Sequence, residues 1–184
     1  MADGPSTQPS SPIPDDDPAR SLVHAQPDTD DSLLHFGVVG DTYTTLISGQ
    51  DTAGRYTLID MYVPPGGGPP PHRHDFEEMF SILEGEIELT FRGEKMIAKA
   101  GDTVNIPANA LHVFTNATDR QARLLCLCSP AGQEEFFALV GVPVAHRTEA
   151  PAALDAAGQA AFIAKAEEYA PRFRTELLPP PPAS

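Results

Sequence analysis

Tryptophan is absent from the 184-residue sequence, cysteine occurs only twice, and basic side chains are scarce. Two cysteines exclude a small protein held together by a disulfide framework. Twelve Lys and Arg stand against 26 Asp and Glu, a formal net charge of −14, which argues against nucleic acid or an anionic membrane surface as the partner. No apolar run is long enough for a transmembrane helix, so none is predicted.

The two ends of the chain differ in composition from its middle. The first residues, MADGPSTQPSSPIPDDD, contain neither a basic nor an apolar segment, so no secretory signal is expected and a cytoplasmic protein is the default prediction. Residues 1–31 hold seven aspartates, six prolines and no Phe or Tyr. Such a segment buries too little apolar surface to fold, so we predict a disordered tail, with an acidic interaction tail as the alternative. Residues 179–184 are predicted to form a second, Pro-rich tail.

The region between these tails is dominated by short apolar segments separated by turn residues. Ile87, Leu89 and Phe91 alternate with polar residues, which is typical of a half-buried strand. Further strands are predicted at 43–48, 56–63, 79–83, from 96 onward, and at 103–106, 111–115 and 122–128. Many short strands spaced about ten residues apart predict an all-β sandwich, jelly roll or barrel over residues 32–150.

Two helices are predicted after the strands, over residues 133–140 and 155–170. Asp155 is suited to begin the longer helix and Pro171 to end it. The longer helix belongs to an extension at 151–178 that we expect to be helical. It should pack against the sheet or a second subunit, because its apolar residues share one face. Those residues are Phe162, Ile163, Ala166 and Tyr169.

The residues best suited to carry chemistry lie in two stretches, GGGPPPHRHDFEEMFSILEG (66–85) and GDTVNIPANALHVFTN (101–116). His72 and His74 are two residues apart, so on a strand both side chains point to one face. Either Glu77 or Glu78 would add a carboxylate, and strand alternation alone does not decide between them. The second stretch contributes His112.

Both stretches resemble the two signature motifs of the cupin superfamily. The first motif is matched by Gly66, His72, His74, Glu78 and Gly85, and this match selects Glu78 over Glu77. The second is matched by Gly101, Pro107, His112 and Asn116, with Asn109 where the family usually has Gly. Since Asn tolerates a positive φ better than most residues, the turn at Asn109 should be kept. The short gap between the motifs resembles compact bacterial single-domain cupins, including the small quercetinase-like dioxygenases.

The resemblance implies a cupin double-stranded β-helix, or jelly-roll barrel, that binds one divalent transition metal. The implied ligands are His72, His74, Glu78 and His112. Imidazole and carboxylate ligands suit Fe, Mn, Ni, Co, Cu or Zn. The resemblance also implies a homodimer, for which the apolar face of the last helix offers a surface. A cupin that keeps the motifs without holding a metal is the alternative.

Alternation along the strands places further side chains beside these ligands. Phe80 and Ile82 share the face of Glu78, and Phe114 shares that of His112, so we predict that the three line a substrate pocket. Packing in the barrel core is an equally good interpretation of them. Tyr62 is an acid–base candidate or, alternatively, a core or rim tyrosine.

The two cysteines, Cys126 and Cys128, lie on one face of a predicted strand. We interpret them as buried thiols; a soft-metal pair or a redox sensor is the alternative.

The predicted function is a metal-dependent, dioxygenase-like oxidoreductase acting on a small aromatic or enolic substrate. A metal-assisted isomerase or decarboxylase would use the same Lewis acid without oxygen. A non-catalytic cupin that binds a small ligand is the third hypothesis. The sequence assigns no catalytic residue beyond the implied metal ligands.

Overall fold

In the computed structural model, which describes residues 13–179, twelve strands form two antiparallel sheets. The larger sheet contains, in spatial order, β11 (Val142–Val144), β1 (His35–Val38), β2 (Asp41–Ile47), β3 (Thr57–Val63), β10 (Ala122–Ser129), β5 (Glu77–Glu84) and β8 (Thr103–Ile106). The smaller sheet contains β12 (Thr175–Leu177), β4 (His72–His74), β9 (His112–Thr115), β6 (Glu86–Phe91) and β7 (Glu94–Lys99). The predicted all-β cupin fold is confirmed.

The core lies between the sheets and is built from alternate positions along their strands. In β10 every second residue is buried, beginning with Ala122 and Leu124, and in β6 the buried residues are Ile87 and Leu89. This period of two is what an antiparallel sheet with one face inside requires. The fold therefore turns one face of each central strand toward a shared interior between the sheets.

The helices α1 (Gln133–Val140) and α2 (Ala156–Tyr169) and a 3₁₀ helix (Ala170–Phe173) follow the last long strand. The α2 helix begins as predicted, because the Asp155 side chain accepts a hydrogen bond from the Gly158 amide at 2.8 Å.

The apolar face of α2 is used within the subunit. Ala166 is buried in a cluster with Phe136 and Val140 of α1, and Phe162 packs against it. This face therefore does not remain free for the expected dimer, and the dimer itself stays a prediction. Ile163, on the same predicted face, is half exposed.

The expected helical extension also contains a strand. Strand β12 pairs with β4, so that Thr175 lies opposite His74 and Leu177 opposite His72. The prediction of a helical extension at 151–178 was thus incomplete, because a three-residue strand is too short to show alternation. Strand β12 therefore supports β4, the strand that carries two of the predicted ligands.

The described part of the predicted N-terminal tail, residues 13–31, forms no helix or strand and is mostly exposed. Arg147 anchors it by donating a hydrogen bond to Asp28 at 2.6 Å. The remainder of the two predicted tails, residues 1–12 and 180–184, lies outside the described residues. Within residues 13–179, every helix is too short or too polar to cross a membrane.

Two residues with positive φ shape the loops beside the predicted ligands. Asn109 has φ 68°, as expected for the position where the family usually has Gly. Its backbone N–H donates a hydrogen bond to the His74 carbonyl oxygen at 2.7 Å. Gly68 has φ 134° and lies against β9, where an added Cβ would come within 2.2 Å of the Phe114 carbonyl oxygen. Only glycine fits at position 68 without moving the loop that leads to His72.

We expect Gly68→Ala to lower the free energy of unfolding by more than Gly40→Ala does. Both positions have positive φ, but nothing lies within 4 Å of a Cβ added at Gly40. That control should cost only the backbone strain, about 1–3 kcal/mol, whereas Gly68→Ala adds a clash with backbone. Urea unfolding of both variants measures the difference, and equal losses would contradict the close approach at Gly68.

Candidate metal centre

Four side chains converge between the two sheets. His72 and His74 come from β4 and His112 from β9 of the smaller sheet, while Glu78 comes from β5 of the larger one. All four are buried, and each offers a ligand atom such that these atoms all lie within 4.8 Å of one another. The register aligns them, since His72 is the direct partner of His112 across the β4–β9 pair. The structure therefore brings the four predicted ligands to one point.

Backbone carbonyls orient the three imidazole rings. Each Nδ1 atom lies within hydrogen-bonding distance of a carbonyl oxygen: His72 of Pro70 at 2.9 Å, His74 of Phe76 at 3.0 Å, and His112 of Ala110 at 3.0 Å. A carbonyl can only accept, so Nδ1 carries the proton in each ring. The Nε2 lone pairs are thereby left free for a cation, which is the arrangement usual for histidine metal ligands.

The centre of the cluster requires a positive charge. The Glu78 Oε2 atom lies 3.2 Å from His74 Nε2 and 3.1 Å from His112 Nε2. Three imidazole lone pairs and a carboxylate oxygen repel one another unless a proton or a metal ion lies between them. Nitrogen and oxygen donors in this number fit a divalent transition metal. The four residues could therefore hold such an ion, and its identity is not fixed by the donors.

The pKa values reflect this electrostatic arrangement. Burial, followed by the charge of His112, lowers the pKa of His72 to about 4. Burial alone would raise the pKa of Glu78, but the hydrogen bonds with His112 and His74 outweigh it and hold the pKa well below its usual value. Burial likewise opposes the charge on His112, yet the contact with Glu78 raises its pKa. Protonation of His112 and binding of a metal ion at its Nε2 atom therefore compete with each other.

The second oxygen of Glu78 faces the two cysteines. Cys126 Sγ lies 3.4 Å from Glu78 Oε1, Cys128 Sγ lies 4.0 Å from it, and the two sulfur atoms are 3.6 Å apart. Both thiols are buried. The hydrogen bond with Cys128 and then burial raise the pKa of Cys126 well above its ordinary value, so Cys126 can donate to the carboxylate. Glu78 and the two sulfurs are also close enough together to hold a metal.

Glu77, the residue next to Glu78, points away from the centre. Its carboxylate accepts hydrogen bonds from the Asn105 side chain at 2.8 Å and the Ala108 amide at 3.1 Å. It is exposed, so it holds the loop before β9 rather than a metal.

One cavity of about 370 Å³ reaches the cluster at His72 and Glu78. Of the three predicted pocket residues, Phe114 lines it. Phe80 and Ile82 lie in the buried core. The Phe80 ring packs edge-on against the Phe114 ring, with 5.3 Å between the ring centroids. The core-packing interpretation therefore describes Phe80 and Ile82 better.

Most of the cavity wall was missed from the sequence. It comes from β2, β3 and the helices, and includes Tyr43, Met61, Phe136, Phe137, Val140 and Phe162. Tyr62, the tyrosine singled out above, is only partly buried, whereas its neighbours Met61 and Val63 are fully buried. Alternation along β3 would have shown that Tyr62 lies on the outer face, but no pattern in the sequence indicates which buried residues border a cavity.

Residues 59–128, which include both motifs and all four converging side chains, match the family model described as a cupin domain. These residues form a cupin domain. The Nε2 and carboxylate cluster occupies the position that the cupin motifs imply for a metal.

Individual relatives are distant. The quercetin 2,3-dioxygenase of Bacillus subtilis is 28% identical over 109 residues, which cover 59% of this chain and 32% of that protein. Polyketide synthase CurC of Streptomyces cyaneus is 32% identical over 92 residues, 50% of this chain and 56% of that protein. The chain thus spans less than two thirds of either relative. The solved structure of KdgF from Halomonas sp. superposes with a TM-score of 0.55 at 16% identity, covering 62% of this cupin and 99% of that chain, a likeness of fold.

We expect the affinity of this cupin for Zn²⁺ to fall as the pH drops from 8 to 6, by about tenfold per pH unit below the pKa of His112. That pKa is raised, so protons compete at His112 first, whereas His72, with its pKa near 4, competes only in acid. Competition with a chelating dye across this range measures the slope. A dissociation constant that stays flat from pH 8 to 5 contradicts histidine ligation.

Replacing His112 with Ala should lower Zn²⁺ affinity by at least about 100-fold while leaving the β-sheet circular dichroism unchanged. The exposed His146 supplies the matched control, since His146→Ala removes an imidazole that lies away from the cluster. Metal analysis after dialysis measures occupancy. Full metal content in His112→Ala would show that the ligand assignment is wrong.

Proposed function

We propose that this cupin is a metal-dependent oxidoreductase of the dioxygenase type that acts on a small aromatic or enolic substrate. The observation that carries the proposal is the shared cavity: His72 and Glu78 border the same space of about 370 Å³ as a set of aromatic and aliphatic side chains. A cavity of this volume lies in the range of small-molecule sites, which are mostly apolar with a few polar groups.

The metal ligands and the apolar lining residues would have different roles in binding the substrate. When bound at the four ligands, a divalent transition metal would supply Lewis acidity toward an enolate or phenolate oxygen and, for redox-active metals, electron exchange with dioxygen. Three neutral imidazoles and one carboxylate leave a net charge near +1 at the centre, which favours an anionic substrate oxygen. Met61, Phe114 and Phe136 would contact the substrate's apolar part and exclude water.

Similarity to a relative supports the oxidative reaction in particular. The quercetin 2,3-dioxygenase of Bacillus subtilis matches over 109 residues, and by its name that protein oxidises an aromatic enol. The shared region is only 32% of that protein, so the substrate of this cupin is proposed as a chemical class and not as quercetin itself.

Oxygen consumption tests the proposal. The protein loaded with Fe²⁺, Mn²⁺, Co²⁺, Ni²⁺ or Cu²⁺ is mixed with a flavonol, a catechol or a 1,3-diketone in an oxygen electrode cell. We expect uptake with at least one of these metals, none with Zn²⁺, and a loss of at least about 100-fold in His112→Ala, because the metal stabilises the developing charge. Absence of uptake with every metal and substrate class would reject a dioxygenase.

A non-oxidative reaction at the same centre is the second candidate. The match to polyketide synthase CurC over 92 residues favours it, since polyketide chains carry enolisable β-keto groups that a Lewis acid can activate without oxygen. An isomerase, decarboxylase or cyclase would convert its substrate under anaerobic conditions with Zn²⁺. A dioxygenase would form no product under those conditions. Tight binding with no product in either atmosphere would instead support a non-catalytic ligand-binding cupin.

A further inference from the structure

A buried carboxylate beside the cavity lacks the cation that such groups usually have. Asp41 on β2 is fully buried, and its Oδ1 atom has no hydrogen-bonding partner among the described residues. Its Oδ2 atom accepts a hydrogen bond from the Tyr43 hydroxyl at 3.0 Å. An ionised carboxylate is costly to bury with so few partners, so the arrangement favours a carboxyl group that holds a proton.

Asp60 on β3 is a second buried carboxylate, and its ion pairs provide a comparison for Asp41. Asp60 is also buried, but Arg123 pairs with it at 2.7 Å and Arg147 approaches it at 3.5 Å. Those pairs compensate its charge. Among residues 13–179, no Lys, Arg or His forms an ion pair with Asp41, so its charge can change with the occupancy of one proton.

The pKa of Asp41 agrees with this geometry. Burial raises the pKa to about 7, although the hydrogen bond from Tyr43 and the nearby Gly68 amide lower it. The carboxyl group is therefore divided between its two protonation states near neutral pH. Burial, followed by the charge of Asp41, raises the pKa of Tyr43 well above its ordinary value, and Cys126 and Glu78 add to the shift. Tyr43 therefore keeps its hydroxyl proton and remains neutral.

Tyr43 connects this carboxyl group to the cavity. Tyr43 lines the same space as His72 and Glu78, and so does Gly68, the glycine whose amide lies near Asp41. When Asp41 is ionised, Tyr43 donates to it and offers the cavity only an oxygen lone pair. When Asp41 is protonated, it can donate to Tyr43, which frees the Tyr43 proton for a group in the cavity.

We propose that Tyr43 and Asp41 form the proton-transfer pair of this cavity, with Tyr43 as the catalytic residue and Asp41 as the group that supplies and stores the proton. The inference rests on the proposed function for the class of substrate, an enolisable or phenolic molecule. In the forward step the Tyr43 O–H bond breaks and its proton goes to the substrate enolate, while the Asp41 proton moves to the Tyr43 oxygen. The substrate gains one proton and Asp41 becomes ionised; the reverse step removes a substrate proton. No oxidant takes part.

The test is anaerobic proton exchange with the Zn²⁺-loaded protein in D₂O, using phenylpyruvate as an aromatic, enolisable probe and NMR to follow deuterium incorporation at C3. We expect exchange faster than in buffer alone. Because a positioned acid–base group contributes about 10²–10⁴-fold, Tyr43→Phe should lose at least 100-fold and Asp41→Asn at least 10-fold, with Zn²⁺ content unchanged. Tyr62→Phe, a hydroxyl removed from the outer face of β3, should exchange as the unmodified protein does.

A second readout separates proton storage from a merely structural role. In ¹³C-carboxyl-labelled protein, one aspartate resonance should titrate near pH 7 and be absent from Asp41→Asn. Wild-type exchange no faster than buffer, exchange in Tyr43→Phe equal to wild type, or an Asp41 resonance that titrates near pH 4 would each overturn the pair. Failure of oxygen uptake alone would reject the dioxygenase and leave this proton transfer standing, because the exchange uses Zn²⁺ and no oxygen.

Discussion

Three imidazole lone pairs and one carboxylate oxygen are buried together between the sheets, and their mutual repulsion is the constraint on which the rest of the structure depends. The backbone carbonyls behind His72, His74 and His112 fix each Nε2 atom toward the centre, so the rings cannot relieve the repulsion by turning over. Only a cation at the centre does so. The contact with Glu78 that raises the pKa of His112 against the effect of burial reflects the same attraction of the centre for positive charge.

The fold serves this constraint by bringing ligands from two sheets and then closing the space around them. Glu78 faces three histidines across the interior, so the centre ties the sheets together. Strand β12 pairs with β4 behind His72 and His74, and α2 adds Phe162 to the cavity wall. The C-terminal extension therefore belongs to the site as well as to the barrel. It supplies both the support of the ligand strand and part of the apolar wall of the cavity.

Hydrophobic periodicity in the sequence predicted those parts of the fold that depend on neighbouring residues alone. Alternation located most strands and both helices because burial of one face repeats every two or every 3.6 residues. It left Glu77 and Glu78 undecided, and only the resemblance to the cupin motif selected Glu78. The cavity could not be predicted in this way. Phe80 and Ile82 do face inward, as their parity requires, yet they pack in the core, because alternation gives the face of a residue and not its distance from a void. Tyr43 and Phe162 reach the cavity from elements distant in sequence, and Thr175–Leu177 is too short to show a period.

Among the buried acidic side chains of residues 13–179, Asp60, Glu78 and Asp41 differ chiefly in the groups that neutralise their charge, and that difference separates their roles. Asp60 pairs with two arginines, which stay charged at any ordinary pH, so its charge is compensated and its contribution is structural. Glu78 lies among imidazoles whose lone pairs favour a metal ion, so its state is fixed whenever the ion is present. Asp41 accepts a hydrogen bond from the Tyr43 hydroxyl, lies near the Gly68 amide and forms no ion pair with a Lys, Arg or His among residues 13–179. Of the three it alone can therefore gain and lose a proton without an ion leaving or entering. A cavity that must change the charge of its substrate needs one group of this kind within reach, and Tyr43 provides the link.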